Sequence, residues 1–170
     1  YNATLYPMTA DLSPATGHAV TGRVLALANT SGKVAGSAFT VIGCDVLING
    51  EVVATTGADG VFTIPSLAAG TYTATLSYAY GYDRDIEITV ADGDVDLGTY
   101  GMVVCNFKKD ATVDASDYSA YKRATGKSSS DDAYNAACDF NHDGNIDATD
   151  YSIYKAFTGK NLNNDIYANA

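Results

Sequence analysis

Residues 139–150 constrain this 170-residue chain more than any other stretch, because they have the pattern of a calcium-binding loop. In DFNHDGNIDATD, oxygen-bearing side chains stand at positions 1, 3, 5, 9 and 12, glycine at position 6 and an apolar residue at position 8. Asp150 stands where glutamate is common. We therefore predict a Ca²⁺ site, with Asn145 offering its backbone carbonyl. The ligand set is Asp139, Asn141, Asp143, Asn145, Asp147 and Asp150.

The same unit occurs twice in the chain. A shift of 33 residues aligns 114–127 with 147–160, with ten of fourteen residues identical. The upstream loop, 106–117, is a weaker metal site because Lys108 stands at position 3 and Ala111 replaces the turn glycine. Lys108 can still point outward on its flexible stem while a water takes its place. We therefore expect a second ion, with the ligands Asn106, Asp110, Thr112, Asp114 and Asp117.

Each loop leads directly into a predicted helix. The apolar face of the first helix is Tyr118, Tyr121 and Ala124, and that of the second is Tyr151, Tyr154 and Phe157. Gly126 and Gly159 are predicted to end these helices.

The stretches beside the loops are less regular. Residues 128–137 indicate a polar linker and a short middle helix whose N-cap is Ser130 or Asp131. Residues 100–105, before the first loop, are typical of a strand, whereas a complete EF-hand has an incoming helix there.

The charge of the chain excludes several partners. Its formal net charge is −10, with ten acidic and three basic residues in 1–101 and ten acidic and seven basic residues in 102–170. Binding of nucleic acid or an anionic membrane needs clustered lysine and arginine, which are lacking. No apolar run approaches the roughly eighteen residues of a membrane span. Tyr1 in place of an initiating methionine suggests a piece of a longer protein.

The cysteines form no recognisable motif. Cys44, Cys105 and Cys138 are odd in number and are not spaced like a zinc or redox site. We expect buried free thiols, although Cys105 and Cys138 precede equivalent loops and a bridge between them remains open.

The first hundred residues predict an antiparallel β-sandwich of about seven strands. Alternating β-branched runs are separated by turn pairs such as Asn49-Gly50 and Asp59-Gly60, which favour hairpins because both residues tolerate positive φ. The predicted strands are 19–27, 38–48, 51–55, 61–64, 71–78, 85–90 and 95–100.

The run from Val53 to Leu76 is more specific. It resembles the carboxypeptidase regulatory-like group of Ig-like sandwiches, in which a T-x-x-D-G-x-F-x-I…L-x-x-G-x-Y pattern spans three strands. The resemblance implies a fold and no activity, and it implies core positions for Phe62, Ile64, Leu67 and Tyr72.

The loop–helix repeat resembles the dockerin family. Dockerins have two calcium loops, each followed by one helix, and Asp at loop position 12, as Asp117 and Asp150 are here. A sandwich joined to such a module resembles the X-module plus dockerin pair, type II-like, of cellulosomal scaffoldins. The resemblance implies two domains, an all-β Ig-like X-module over 1–101 and a small all-α dockerin with two F-hand repeats over 102–170.

The same resemblance implies a function. The chain is expected to be non-catalytic and to dock its parent protein onto a cohesin in a calcium-dependent manner, at a cellulosome or cell surface outside the cell. The X-module is expected to stabilise the dockerin, and the near-identical helices leave one or two docking orientations open. The residues expected to contact cohesin are Ala115, Ser116, Ser119, Lys122, Ala148, Thr149, Ser152, Ile153 and Lys155.

The sequence also bears on three other functions. A calcium sensor or buffer is disfavoured by the missing incoming helix, and an enzyme by the lack of a catalytic constellation around His18 or His142. A carbohydrate-binding sandwich stays open, because Tyr78, Tyr80 and Tyr82 offer an aromatic platform.

Overall fold

The computed structural model describes residues 16–26, 29–30, 33–34 and 40–159. The last residue of the predicted strand 19–27 and the start of the predicted strand 38–48 lie outside these ranges. The strands are β1 His18–Ala26, β2 Asn29–Thr30, β3 Lys33–Val34, β4 Asp45–Ile48, β5 Glu51–Thr55, β6 Val61–Leu67, β7 Gly70–Ser77, β8 Arg84–Val90 and β9 Val95–Met102. The helices are α1 Ala115–Ala124 and α2 Ala148–Phe157, with a single 3₁₀ turn at Ala136–Cys138.

Seven of the strands form two sheets, as the alternating pattern predicts. One has the order β6-β1-β9, the other β5-β4-β7-β8, and β2 and β3 form a separate ribbon. The expectation of a purely antiparallel sandwich is wrong at one pair, because β1 and β9 run parallel. Parallel neighbours need a crossover rather than a hairpin, and β9 follows β8 of the opposite sheet.

The predicted strand 38–48 is shorter than its sequence suggests. Thr40 makes only an isolated bridge to Leu25, and β4 begins at Asp45. The Thr56 side chain interrupts the strand, because its Oγ1 accepts from Cys44 N at 2.9 Å and donates to Val41 O. The following turn is as predicted, since Asn49 and Gly50 have φ of 53° and 80° and join β4 to β5.

The inner faces of the two sheets form the core of the sandwich. Phe62 and Ile64 are buried, as expected. Leu67 and Tyr72 only pack against the core and are half-buried, so their assignment as core is correct only in part. Tyr72 remains accessible enough for its hydroxyl to donate to Ala68 O at the surface.

The junction between the sandwich and the loop–helix repeats is itself part of the core. Residues 101–106 are all buried, and one continuous hydrophobic cluster includes Val104 beside residues of the sandwich and of both helices. The backbone is closely packed here, since a Cβ at Gly81 would lie 2.7 Å from Val103 O. No exposed linker separates the two parts.

The predicted middle helix is reduced to the single 3₁₀ turn. Its N-cap is Asn135, whose Oδ1 accepts from Ala137 N at 3.1 Å, so the assignment of the cap to Ser130 or Asp131 is wrong. Asp131 instead accepts from Ser128 N at 2.8 Å. That side-chain bond to the backbone favours a turn over a helix.

All three cysteines are free and buried, as expected, so no bridge joins Cys105 to Cys138. Burial raises the pKa of the Cys44 and Cys138 thiols to about 12.

Candidate metal centre

The two helices begin with the same cap. Asp114 Oδ1 accepts from Ser116 N at 2.7 Å, and Asp117 Oδ2 accepts from Asp114 N at 2.9 Å. Asp147 and Asp150 repeat this capping box at the start of α2. Positions 9 and 12 of each loop therefore fix the first turn of the helix that follows.

The second loop buries two negative charges. The Asp139 side chain is 2% exposed and that of Asp150 is 0%. Asp139 Oδ2 accepts from Gly144 N at 2.8 Å and from the Tyr134 hydroxyl at 2.6 Å. Asp150 Oδ1 accepts from Phe140 N at 2.7 Å. Gly144 has φ of 86°, the conformation that glycine adopts readily and that brings its N–H back to position 1.

These carboxylates fit a hard cation. Within the described ranges the ion pairs are His18–Asp94 and Lys109–Asp83, so no basic side chain there offsets Asp139 or Asp150. Burial raises the pKa of Asp150, and the charge of Asp139 adds to the rise. Two buried like charges are costly without a counter-charge, and an all-oxygen donor set suits Ca²⁺.

The other oxygen-bearing side chains of this loop hydrogen-bond to one another and do not point at one shared position. Asp143 accepts from Asn145 N and from Asn141 Nδ2, each at 2.8 Å, and these bonds lower its pKa. Among the described residues, no three His, Cys, Asp or Glu side chains form a metal-holding group. The fit therefore rests on the buried charges, the loop turn and the order of the donors.

The first loop has the same left-handed position 4 and the same capping box as the second loop, but its side chains differ in charge. Asn106 and Asp117, at positions 1 and 12, are fully buried. Asp117 Oδ1 accepts from Lys108 N at 2.9 Å, and Asp110 Oδ1 accepts from Thr112 N at 3.1 Å. The Lys108 side chain is exposed, as expected.

Position 4 of each loop contacts the sandwich. Lys109 and His142 both adopt left-handed φ, 54° and 59°. His142 Nε2 lies 3.0 Å from Thr40 O, and Lys109 Nζ donates to acceptors in the 78–83 segment. The role of Lys109 was not anticipated. The signal was its alignment with His142 at loop position 4, which is not among the ligand positions of such a loop.

Hydrogen bonds cross between the two repeats in reciprocal pairs. The second tyrosine of each helix donates to the position 9 carbonyl of the other loop, and the glycine after each helix donates to the position 8 carbonyl of the other loop. The bonds are Tyr121 Oη to Asp147 O at 3.1 Å, Tyr154 Oη to Asp114 O at 3.0 Å, Gly126 N to Ile146 O and Gly159 N to Val113 O, both at 2.8 Å. Each loop thereby holds the opposite helix.

Comparisons with known proteins agree with this geometry. The family "Dockerin type I domain" matches residues 107–157. A chain in the crystal structure of a type II cohesin–X-dockerin complex from Acetivibrio cellulolyticus, a C-terminal interface mutant, matches with a TM-score of 0.62 and 28% identity, over 85% of this chain and 97% of that one. The N-terminal interface mutant of the complex gives 0.59 and 29% over the same shares.

Residues 107–157 thus match the dockerin family, and the chain as a whole is similar to an X-module–dockerin pair, X-dockerin for short. No curated protein matches it by sequence. In the part of the X-dockerin that the structure describes, no helix is long and apolar enough to cross a membrane.

The X-dockerin exposes most of the helix positions predicted to contact a partner. One expectation is wrong, because Ile153 is only 3% exposed and packs in the core of the dockerin. Ala120, at the equivalent position of α1, is half-buried. Tyr118 and Tyr151, expected on the apolar faces, are 36% and 38% exposed, with ring centroids 6.4 Å apart. The exposed positions are Ala115, Ser116, Ser119, Lys122, Ala148, Thr149, Ser152 and Lys155.

The expected aromatic platform of a carbohydrate-binding sandwich is absent from the described surface of the X-module. Tyr82 is 4% exposed, and its hydroxyl donates to Ala111 O at 2.9 Å. Tyr78 and Tyr80 are half-buried and pack edge to face at the junction. These tyrosines join the X-module to the dockerin.

Proposed function

We propose that this X-dockerin attaches its parent protein to a cohesin module, without catalysis, in cellulosome assembly or cell-surface attachment. The observation that carries the proposal is the match over 85% of the chain to a chain of a cohesin–X-dockerin complex. The parent protein is placed outside the cell, because dockerins and cellulosomes belong there. The proposal concerns this chain and not any catalytic domain elsewhere in the parent protein.

The two parts have separate tasks. The X-module is assigned to 1–101 and the dockerin, with its two F-hand repeats, to 102–170, a boundary that lies at the end of β9, whose last residue is Met102. The buried junction supports a stabilising role for the X-module, because the small dockerin shares its hydrophobic core. A segment of this size has little core of its own.

Calcium is the proposed organiser of the second loop. Asp139, Asn141, Asp143, Asp147 and Asp150 would hold it with side-chain oxygens, and Asn145 with its carbonyl. The ion supplies positive charge that offsets the buried carboxylates, so that metal binding contributes free energy to folding. The chain itself supplies the capping box at Asp147 and the bond from Tyr121, which align both helices.

The proposed cohesin surface consists of small and hydroxyl side chains at the helix starts. Ala115, Ser116, Ala148 and Thr149 are exposed, and such residues permit close approach to a flat sheet. The helix positions that follow flank them on the same side of each helix, namely Ser119, Lys122, Ser152 and Lys155.

One docking orientation is favoured. A half-turn would exchange the two helices and carry the rigidly joined X-module to the other side of the cohesin. The repeats also differ at an outward position, where Arg123 is exposed and its counterpart Ala156 is half-buried.

Titration of a cohesin panel against the full chain, in millimolar Ca²⁺ and in excess chelator, tests the function. We expect at least one cohesin to bind only with calcium, and failure of all type I and type II cohesins to bind would refute docking. The double substitutions Ala115→Arg/Ser116→Arg and Ala148→Arg/Thr149→Arg test the orientation. One pair should abolish binding and the other should not, whereas binding by both double variants would establish two orientations.

A further inference from the structure

The first loop lacks the charge that a calcium site needs. Residues 106–117 contain three carboxylates and two lysines, a formal charge of −1, whereas 139–150 contain four carboxylates and no lysine or arginine, a charge of −4. Calcium affinity depends on the charge of the ligands. The first loop also buries only one carboxylate, Asp117, beside the neutral amide of Asn106, so no buried pair of negative charges there requires a cation.

The turn of the first loop is also different. In the second loop, Gly144 N reaches the position 1 carboxylate of Asp139 at 2.8 Å. Ala111, the equivalent of Gly144, does not adopt positive φ. Both loops have a bond from the position 5 N–H to the position 1 oxygen, Asp143 N to Asp139 Oδ1 at 3.2 Å and Asp110 N to Asn106 Oδ1 at 3.1 Å. Only in the first loop does the position 1 side chain also donate, from Asn106 Nδ2 to Asp110 O at 2.8 Å. Asn106 therefore brings one neutral oxygen to position 1, where Asp139 brings a charged carboxylate with two oxygens.

A lysine of the first loop binds the X-module. Lys109 Nζ donates to Tyr78 O, to Gly81 O at 2.7 Å and to Asp83 Oδ1 at 2.9 Å. Three acceptors satisfy the three protons of the ammonium group. The ion pair with Asp83 is about half-exposed and is worth little alone, but the two carbonyls fix its position.

Two further bonds attach the same loop to the 78–83 segment. Asn106 N donates to Tyr80 O at 2.9 Å, and the Tyr82 hydroxyl donates to Ala111 O at 2.9 Å. Positions 1, 4 and 6 of the first loop are thus bound to one segment of the sandwich. Of the described residues in the second loop, only His142 hydrogen-bonds to the sandwich, at Thr40 O.

We propose that the first loop binds no calcium and is held in its folded form by Lys109 and the 78–83 segment, so that the chain takes up a single ion, in the second loop. This replaces the expectation of two ions. Direct contact with the X-module stabilises the folded form of the first loop, whereas the metal ion stabilises that of the second loop. The proposal concerns the chain alone and does not depend on a cohesin.

Counting bound calcium by native mass spectrometry and calorimetry on the full chain tests the proposal. We expect one Ca²⁺ per wild-type chain. Asp143→Asn and Asp110→Asn are a matched pair at loop position 5: the first should weaken binding at least about tenfold, and the second should leave affinity and stoichiometry unchanged. Two ions in the wild type, or loss of the single ion in Asp110→Asn, would overturn the proposal.

A gain-of-site variant and a lysine variant complete the test. Lys108→Asp combined with Ala111→Gly should raise the number of bound calcium ions per chain to two.

Lys109→Met should lower the melting temperature by about 2–6 °C, equally with calcium and with chelator, while the exposed Lys122→Met changes it little. A melting temperature that falls only when calcium is present would show that Lys109 acts through a metal site, and would contradict the proposal.

Discussion

The bonds between the repeats make a quantitative prediction. Tyr121→Phe and Tyr154→Phe each remove one hydroxyl that donates to a backbone carbonyl of the opposite loop, at 3.1 and 3.0 Å, and leave the buried ring in place. Burial raises the pKa of Tyr154 to about 12, so its hydroxyl keeps its proton throughout the usual assay range. The change therefore tests a hydrogen bond and not a charge.

The expected loss is about 1 kcal/mol for each variant. A net intramolecular hydrogen bond contributes about 0.5–1.5 kcal/mol, and a fully buried acceptor left alone costs more. The carbonyls of Asp114 and Asp147 belong to exposed residues, so water can hydrogen-bond to them once the hydroxyl is gone. The range for a net hydrogen bond therefore applies, and not the higher cost of a buried acceptor without a partner. For a chain of this size, the melting temperature should fall by about 2–4 °C.

Urea unfolding in saturating calcium measures the change, and Tyr72→Phe is the matched control. The Tyr72 hydroxyl also donates to a carbonyl, Ala68 O at 2.9 Å, but at an exposed site, so its loss should cost under about 0.5 kcal/mol. Tyr121→Phe should also weaken calcium binding by about fivefold, because its acceptor lies in the second loop. If both helix variants lose no more stability than Tyr72→Phe, the reciprocal bonds do not couple the repeats.

Three further predictions concern backbone and thiols. Gly126→Ala should destabilise by about 1 kcal/mol, because Gly126 has φ of 78° with open space around it, whereas Gly93→Ala, equally open and without positive φ, should be near neutral in thermal melts. Gly81→Ala should cost more than about 2 kcal/mol, since its Cβ would meet Val103 O at 2.7 Å; a neutral result would contradict the close packing of the junction. All three thiols should resist Ellman's reagent at pH 8 in native protein, because they are buried and the pKa of Cys44 is raised to about 12, and rapid labelling of any of them would contradict that burial.

Features set by neighbouring residues were predictable from sequence. The Asn49-Gly50 turn follows from local dihedral preferences. The capping aspartates at loop positions 9 and 12 follow from side chains that bond to the nearest backbone. The strands of the X-module followed from alternation, because each strand buries one face.

Features set by contacts between distant residues were not predictable from sequence. The parallel pairing of β1 with β9 depends on how the chain crosses between sheets. Lys109 finds its acceptors some 26 to 31 residues earlier in the chain, and no local pattern announces them. Ile153 stood at a position equivalent to Ala120, and only the packing of the whole dockerin shows that one repeat buries what the other leaves half-exposed.

The parallel pairing of β1 with β9 has a mechanical consequence. Six residue pairs join these strands, and the chain runs from β9 through the buried junction into the dockerin. A pulling force that enters through β1 and leaves through β9 draws the two strands in opposite directions along their length. Such a load is shared by all the hydrogen bonds of the pair at once, whereas a hairpin pulled at its open end breaks them one by one. The architecture suits a tether that must hold under tension.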